Sequence, residues 1–514
     1  MAYPQTLIPV ASDRSRQGFL YAIVFVWGLV AISILTIIFS EIGMDGRSNR
    51  YYLLPWCLLT GAVIASPSIY LIYKRRFDPF HPVVFPAWSY FFPGFFIGGI
   101  FVAAGISQPY FLTLVQDESY NLPLTLVYVM LGYLGLVLGF AVPYARWAGE
   151  QIGKRMPSWN VPGERLAVPG LLLMSIGVVY TLIGFGQGLL GFQKVQDIGA
   201  FDGIIYLLSL FWLEASFLLW LYIFRSKRIA FWQIIVIVVL AITALSKSVF
   251  QGNRGSFVQL LILVAFAYAM SGRKLTSRLY ASGLILAIFA LVAGMIYGTA
   301  FRSVKESQDQ VSMDRYMAVV PATLDRLSEK DLGTVIADGT TTLAERIDVV
   351  SSLAVVVSNY EALAPYEETW GINDNIYVDT VTFFIPRVVW FNKPISIDPS
   401  RYGDLYFNYS ENSFAMTPIG DLLRNFGPVG VPIGMIVLGL IIRVIYSALI
   451  ERQEFQYWRA TLFFMIFTSI SFEGTYGLIV PNIAKVGVVA VLGLLIVRFF
   501  AGSDRQSQQI AAHH

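Results

Sequence analysis

The 514 residues are 56% hydrophobic, 15% aromatic and only 13% charged, with mean hydropathy +0.63; ordinary soluble domains carry about 25% charged residues, so this chain belongs in a lipid bilayer. A net charge of +3 is too small to argue for nucleic acid, and no basic patch stands out. One cysteine, Cys57, and three histidines, of which only His81 is not terminal, leave no disulfide framework and no imidazole or thiolate metal centre.

A spanning helix needs roughly 20 apolar residues, and about twelve stretches approach that length. In chain order they are residues 19–40, 51–73, 82–104, 122–145, 167–190, 203–224, 229–245, 255–270, 279–300, 428–449, 457–472 and 479–500. The first is long and has no small-residue cleavage site behind it, so it is expected to be a span and not a leader. The third carries Pro82, Pro86 and Pro93, which membrane helices accept more readily than soluble ones. The expected fold class is therefore an all-α polytopic membrane protein.

Basic residues fall in alternate loops: Lys74 to Arg76, then Arg146 to Arg165, then Arg225 to Arg228, then Arg273 to Arg278. By the excess of Lys and Arg on the inner side these loops are expected in the cytoplasm, together with both termini. The same alternation places the turn 246–254 and the long insert 301–427 on the outer side. Three regions follow: 1–300 with nine spans, 301–427 as a large, partly helical outer loop capping an active site, and 428–514 with three spans and a tail. Within the insert, the apolar runs 347–357 and 378–389 are too short to span and suit helices lying on the membrane or tucked into the bundle. No internal repeat is visible, which argues against a transporter built from duplicated halves.

Polar outer-side residues point to anion chemistry. Asn253, Arg254 and Gly255 stand where a helix begins, and a helix N-terminus attracts phosphate through its unpaired N–H groups. Arg387, Lys393 and Arg401 form a cation series in the insert, where guanidinium groups can grip phosphate oxygens in pairs. Asp421, Arg424 and Asn425 come immediately before Gly427 and Pro428, a proline suited to a first helical turn. Each has a bland alternative, since an arginine at a membrane interface often anchors there or pairs with a carboxylate. Trp370, Trp390, Tyr402 and Tyr406 could stack on sugar rings or form an interfacial belt. Glu214 and Lys485, inside expected spans, are costly charges expected to find buried partners.

The run Pro386-Arg387-Val388-Val389-Trp390-Phe391-Asn392-Lys393-Pro394, followed by Gly420-Asp421-Leu422-Leu423-Arg424-Asn425-Phe426-Gly427, resembles the late outer loop of bacterial O-antigen polymerases of the Wzy type, also called oligosaccharide repeat unit polymerases. Asn253-Arg254-Gly255 is similar to a turn of the same family. Asp421 stands where the family more often has Glu, and the insert lacks the histidine used by the related O-antigen ligases. The resemblance implies a cofactor-free glycosyltransferase of the bacterial inner membrane that polymerises undecaprenyl-pyrophosphate-linked repeat units at the outer face, alongside a flippase and a chain-length regulator. On that reading Arg254, Arg387 and Arg424 stabilise the departing pyrophosphate. Lys393, Arg401, Asn253, Asn425 and Glu411 bind substrate, and Asp421 heads the carboxylates able to take the acceptor's proton, ahead of Glu411, Asp398 and Glu473.

Three other functions remain open on sequence. A metal-dependent lipid-phosphate-sugar transferase would use Glu41 and Asp45 in the first outer loop, although Arg47 and Arg50 lie beside them. A ligase-like transferase would need a base other than histidine. A lipid-linked-sugar transporter would need polar residues through several helices, and Glu214, Lys485 and Arg443 are few.

Overall fold

The computed structural model describes residues 50–502 apart from 160, 191–200, 227–228, 252–253, 274–275, 305–312, 330–343, 386–388, 391–392, 394–398 and 410–413. The described residues form helices and connections, with no strand. In chain order the helices are α1 Tyr51–Tyr73, α2 Val84–Ala103, α3 Glu118–Ala141, α4 Pro143–Arg155, α5 Ala167–Gly186, α6 Asp202–Ser209, α7 Phe211–Arg225, α8 Phe231–Gln251, α9 Arg254–Met270 and α10 Ser277–Val304. They continue as α11 Met313–Glu329, α12 Val349–Trp370, α13 Asn375–Thr382, α14 Pro399–Phe407, α15 Thr417–Leu449, α16 Tyr457–Thr468 and α17 Tyr476–Ala501.

Eight described helices are long and apolar enough to cross a membrane: α1, α2, α3, α5, α6 with α7, α8, α15 and α17. Of the other four expected spans, 19–40 lies outside the described residues, and 279–300 falls within the 28-residue α10. The stretch 255–270 supplies only a shorter apolar helix, Val258–Met270, and 457–472 gives the 12-residue α16 before the chain leaves helical geometry. Proline explains the irregularity of α2. Its stretch Ala87–Ile97 takes wide π-helical turns around Pro93, which has no N–H to donate to a regular ladder.

The core is a tight seam between α15 and helices α3 and α4. A Cβ on Gly139 would strike the Ile436 carbonyl, and one on Gly439 would strike that of Leu136. Small residues on both helices thus bring two backbones into contact, the packing on which membrane bundles rely. The insert is built into this bundle. Residues 349–357 of α12 are buried throughout, and the helix packs against α2, α3 and α15. The apolar run seen at 347–357 is therefore a bundle helix, not a surface one.

Asp348 caps α12. Its carboxylate accepts from the Ser351 N–H at 2.9 Å, the Ser351 hydroxyl at 2.6 Å and the Ser107 hydroxyl at 2.8 Å. Burial nevertheless outweighs these bonds and pushes its carboxyl up to about 6. A carboxyl raised on folding contributes stability that is complete below its unfolded value and is lost as pH rises through the folded one. Asp78, likewise buried and pushed up to about 6, has the same sign. Thermal unfolding followed by tryptophan fluorescence should show the chain gaining roughly 2–3 kcal/mol per group between about pH 7 and pH 4. Asp348→Asn should flatten that rise.

Contacts sort the loops into two ends. At one, Arg146 and Arg443 pair with Glu451 at 3.3 and 2.9 Å, Arg225 donates to the Ser271 carbonyl, and Arg273 donates to that of Ser226. At the other, Arg50 pairs with Glu118 at 2.5 Å, Ser107 meets Asp348, and the Tyr110 hydroxyl donates to the Phe407 carbonyl at 3.1 Å. Arg225 also stacks on Phe455, in the connection that holds Glu451, so three of the basic loops meet; Asp348 and Phe407 of the insert belong to the second group.

Candidate functional site

Helix α15 breaks at Gly427, whose φ of 69° and ψ of −169° fall in a region open essentially to glycine alone. The chain is helical on both sides, so Asp421, Arg424 and Asn425 lie on a short buried helix and not in an irregular approach to the span. Spacing of three and four puts them on one face. Four other segments meet that face: the last turn of α12 with Glu367, the start of α13 with Asn375, α14 with Tyr402 and Tyr406, and the first turn of α17 with Gly477.

Arg424 organises the cluster. One terminal nitrogen donates to Glu367 Oε2 at 2.7 Å and to the Ile372 carbonyl at 2.8 Å. The other donates to Asn375 Oδ1 at 2.5 Å and to Asp421 Oδ1 at 3.1 Å. The chain can present Ile372 here because Gly371 ends α12 at a φ of 64°, the left-handed cap that favours glycine. Asp421 Oδ2 accepts from the Gly477 N–H at 3.0 Å and from Asn375 Nδ2 at 3.3 Å, so it also answers the positive N-terminus of α17. Asn425 Nδ2 donates to Asn375 Oδ1 at 2.9 Å and to the Asp421 carbonyl at 2.8 Å. The Tyr406 hydroxyl donates to Glu367 Oε1 at 2.7 Å.

The Arg424 and Asp421 side chains are 0% exposed, and that of Glu367 is 7%. Two carboxyls share one guanidinium in a buried site. Burial raises Glu367 above the ordinary carboxylate range although Arg424 and Tyr406 pull the other way, and Asp421 adds to the rise. Burial also raises the Tyr402 and Tyr406 hydroxyls. Arg424 Nε, the Tyr402 hydroxyl and Asn425 Oδ1 are buried and make no hydrogen bond to a described residue. They are the cluster's spare hydrogen-bonding capacity.

Asp421, Arg424 and Asn425 are thus brought together as their spacing suggested, but Arg424's fork is filled by protein groups. Arg401 is exposed on α14 and donates to the Trp370 carbonyl at 3.5 Å, beside the α12–α14 contact. Lys393 Nζ donates to the Ile385 carbonyl at 3.0 Å. Asn253, Arg387 and Glu411 lie outside the described residues, as does the side chain of Arg254, whose backbone opens α9. Trp370 donates to Asp404 Oδ2 at 3.0 Å, while Tyr402 and Tyr406 are buried beside Arg424, not spread along a belt. Glu41 and Asp45 are outside the described residues, and Arg50 pairs with Glu118.

Glu367 and Asn375 are the members that sequence reasoning missed. A signal for Glu367 exists: Leu353, Val356, Tyr360, Leu363 and Glu367 recur at helical spacing, so the carboxylate extends the stripe facing the bundle. No group of three or more His, Cys, Asp or Glu side chains arranged for a metal occurs among the described residues. Comparison with protein-family models, curated proteins and solved structures finds no match.

Proposed function

We propose that this chain is a glycosyltransferase that polymerises lipid-pyrophosphate-linked oligosaccharide repeat units on the outer side of a bacterial inner membrane, without a metal. The observation carrying this reading is that Gly420–Gly427, the stretch resembling the polymerases, lies at the polar centre where the insert runs into α15 and meets the first turn of α17. In the reaction a hydroxyl oxygen of one repeat unit bonds to the anomeric carbon of the other. The bond from that carbon to the lipid pyrophosphate breaks, its electron pair leaves with the phosphate, and the hydroxyl proton passes to a base.

Glu367 suits the base. Its raised proton affinity and residual access favour a proton acceptor, whereas Asp421 is fully enclosed by its donors. Arg424 and Asp421 then act by positioning, holding Glu367 and the start of α17 in register. The charge gathering on the leaving pyrophosphate falls to Arg401, exposed on α14, with Arg254, Arg387 and Lys393 as further cations of the same chain. Removing this chain from a producing cell should reduce its surface glycan from a ladder of lengths to a single repeat unit on gel electrophoresis. An unchanged ladder would refute the proposal.

A further inference from the structure

Glu214 sits in the first turn of α7 with 0% exposure, and neither carboxylate oxygen has a hydrogen-bond partner among the described residues. Its carboxyl fills the notch at Gly493 of α17, where an added Cβ would collide with it. Charged groups on the helices packed around α7 are engaged elsewhere. Lys247 of α8 holds its ammonium 4.2 Å over the Trp212 ring, Arg459 of α16 donates to the Gly153 carbonyl at 2.9 Å, and on α17 Lys485 lies in the field of Asp379 while Arg498 holds its guanidinium 4.7 Å from the Trp159 ring. Helix α5 has no charged residue, and α6 and α9 carry only Asp202 and Arg254, each at its first position.

An ionised carboxylate with no donor and no counter-charge, inside a span, would cost several kcal/mol or more, and taking up a proton removes that cost. Beside the Glu214–Gly493 contact runs a lateral apolar groove of about 840 Å³. Phe211, one turn before Glu214, and Ile496, one turn after Gly493, line it with Leu492, Leu495 and Phe499, and Arg498 stands at its end stacked on Trp159. Leu492, Leu495 and Phe499 are 49%, 43% and 80% exposed, so the groove opens on the bundle's outer surface, which meets lipid when α7 and α17 span.

We propose that Glu214 is a membrane-embedded proton site: its carboxyl is carried as the neutral acid in the α7–α17 seam and is reached from lipid along this groove. Such a group is the target of a lipid-soluble carbodiimide. The acid proton moves to one reagent nitrogen as a carboxyl oxygen bonds to the central carbon. The acyl group then shifts from oxygen to nitrogen, leaving a stable N-acylurea that retains every atom of the reagent.

The test uses the full chain in lipid nanodiscs at about pH 8, where exposed carboxyls are ionised. Dicyclohexylcarbodiimide should leave its adduct on the Glu214 peptide, mapped by mass spectrometry, while a water-soluble carbodiimide should not. Glu214→Gln supplies the blank, and the adduct's position on the unaltered chain decides the matter even if that variant folds poorly. Infrared spectra of chain carrying ¹³C-labelled glutamate should show a protonated-acid carbonyl band at the same pH. An unmodified Glu214 peptide, equal labelling by the water-soluble reagent, or absence of that band would each overturn the proposal.

Discussion

Arg424→Ala should cost about 3–5 kcal/mol of folding stability, the range for removing one member of a buried ion pair. The guanidinium joins Glu367, Ile372, Asn375 and Asp421, and its loss leaves two buried carboxyls without their counter-charge. Arg424→Lys should restore only part of this, because one ammonium cannot reproduce four bonds spread over a planar fork. The measurement is thermal unfolding in detergent at matched protein concentration. Because the cluster fastens α12, α13 and α15 together, proteolysis within the insert should accelerate in step. An Arg424→Ala chain that melts with the unaltered protein would mean that these contacts do not hold the insert in place.

Glu367→Gln should lower the elongation rate by roughly 10²–10⁴-fold, the usual contribution of a positioned proton acceptor. Glutamine keeps the shape and can still accept from Arg424, so most of the protein should remain folded. The pH profile separates chemistry from structure. With Glu367 as base, the rate of the unaltered chain should fall on acidification at a higher pH than an ordinary carboxylate would give, because burial raises this group. The variant's residual rate should lack that limb. A full rate in Glu367→Gln would remove Glu367 from the mechanism.

The spans were legible because lipid solvation imposes long apolar runs, and eight of them are helices of sufficient length among the described residues. Some basic loops also meet in the structure: Arg146 pairs with Glu451, Arg225 stacks on Phe455 of the same connection, and Arg273 donates to the Ser226 carbonyl. The path of α12 was less so. Its apolar first half, Val349 to Val357, reads equally well as a surface or a buried helix, and only its contacts with α2 and α3 decide between them.

The candidate site shows the same division. Local spacing put Asp421, Arg424 and Asn425 on one face, but their partner Glu367 is 57 positions from Arg424 and Gly477 is 56 from Asp421. No local pattern encodes such a meeting. Pairing also decides what Arg424 does: the same side chain that could grip phosphate in isolation is, in this fold, a strut between two carboxyls.

The most direct test of the polymerase account is elongation by the purified chain in lipid vesicles, supplied with a lipid-pyrophosphate-linked repeat unit in the presence of EDTA. The account predicts a ladder of glycans longer than one unit that is insensitive to the chelator and is lost in Glu367→Gln. Single-unit material throughout would contradict it, as would elongation that requires added manganese and disappears in Glu41→Gln with Asp45→Asn.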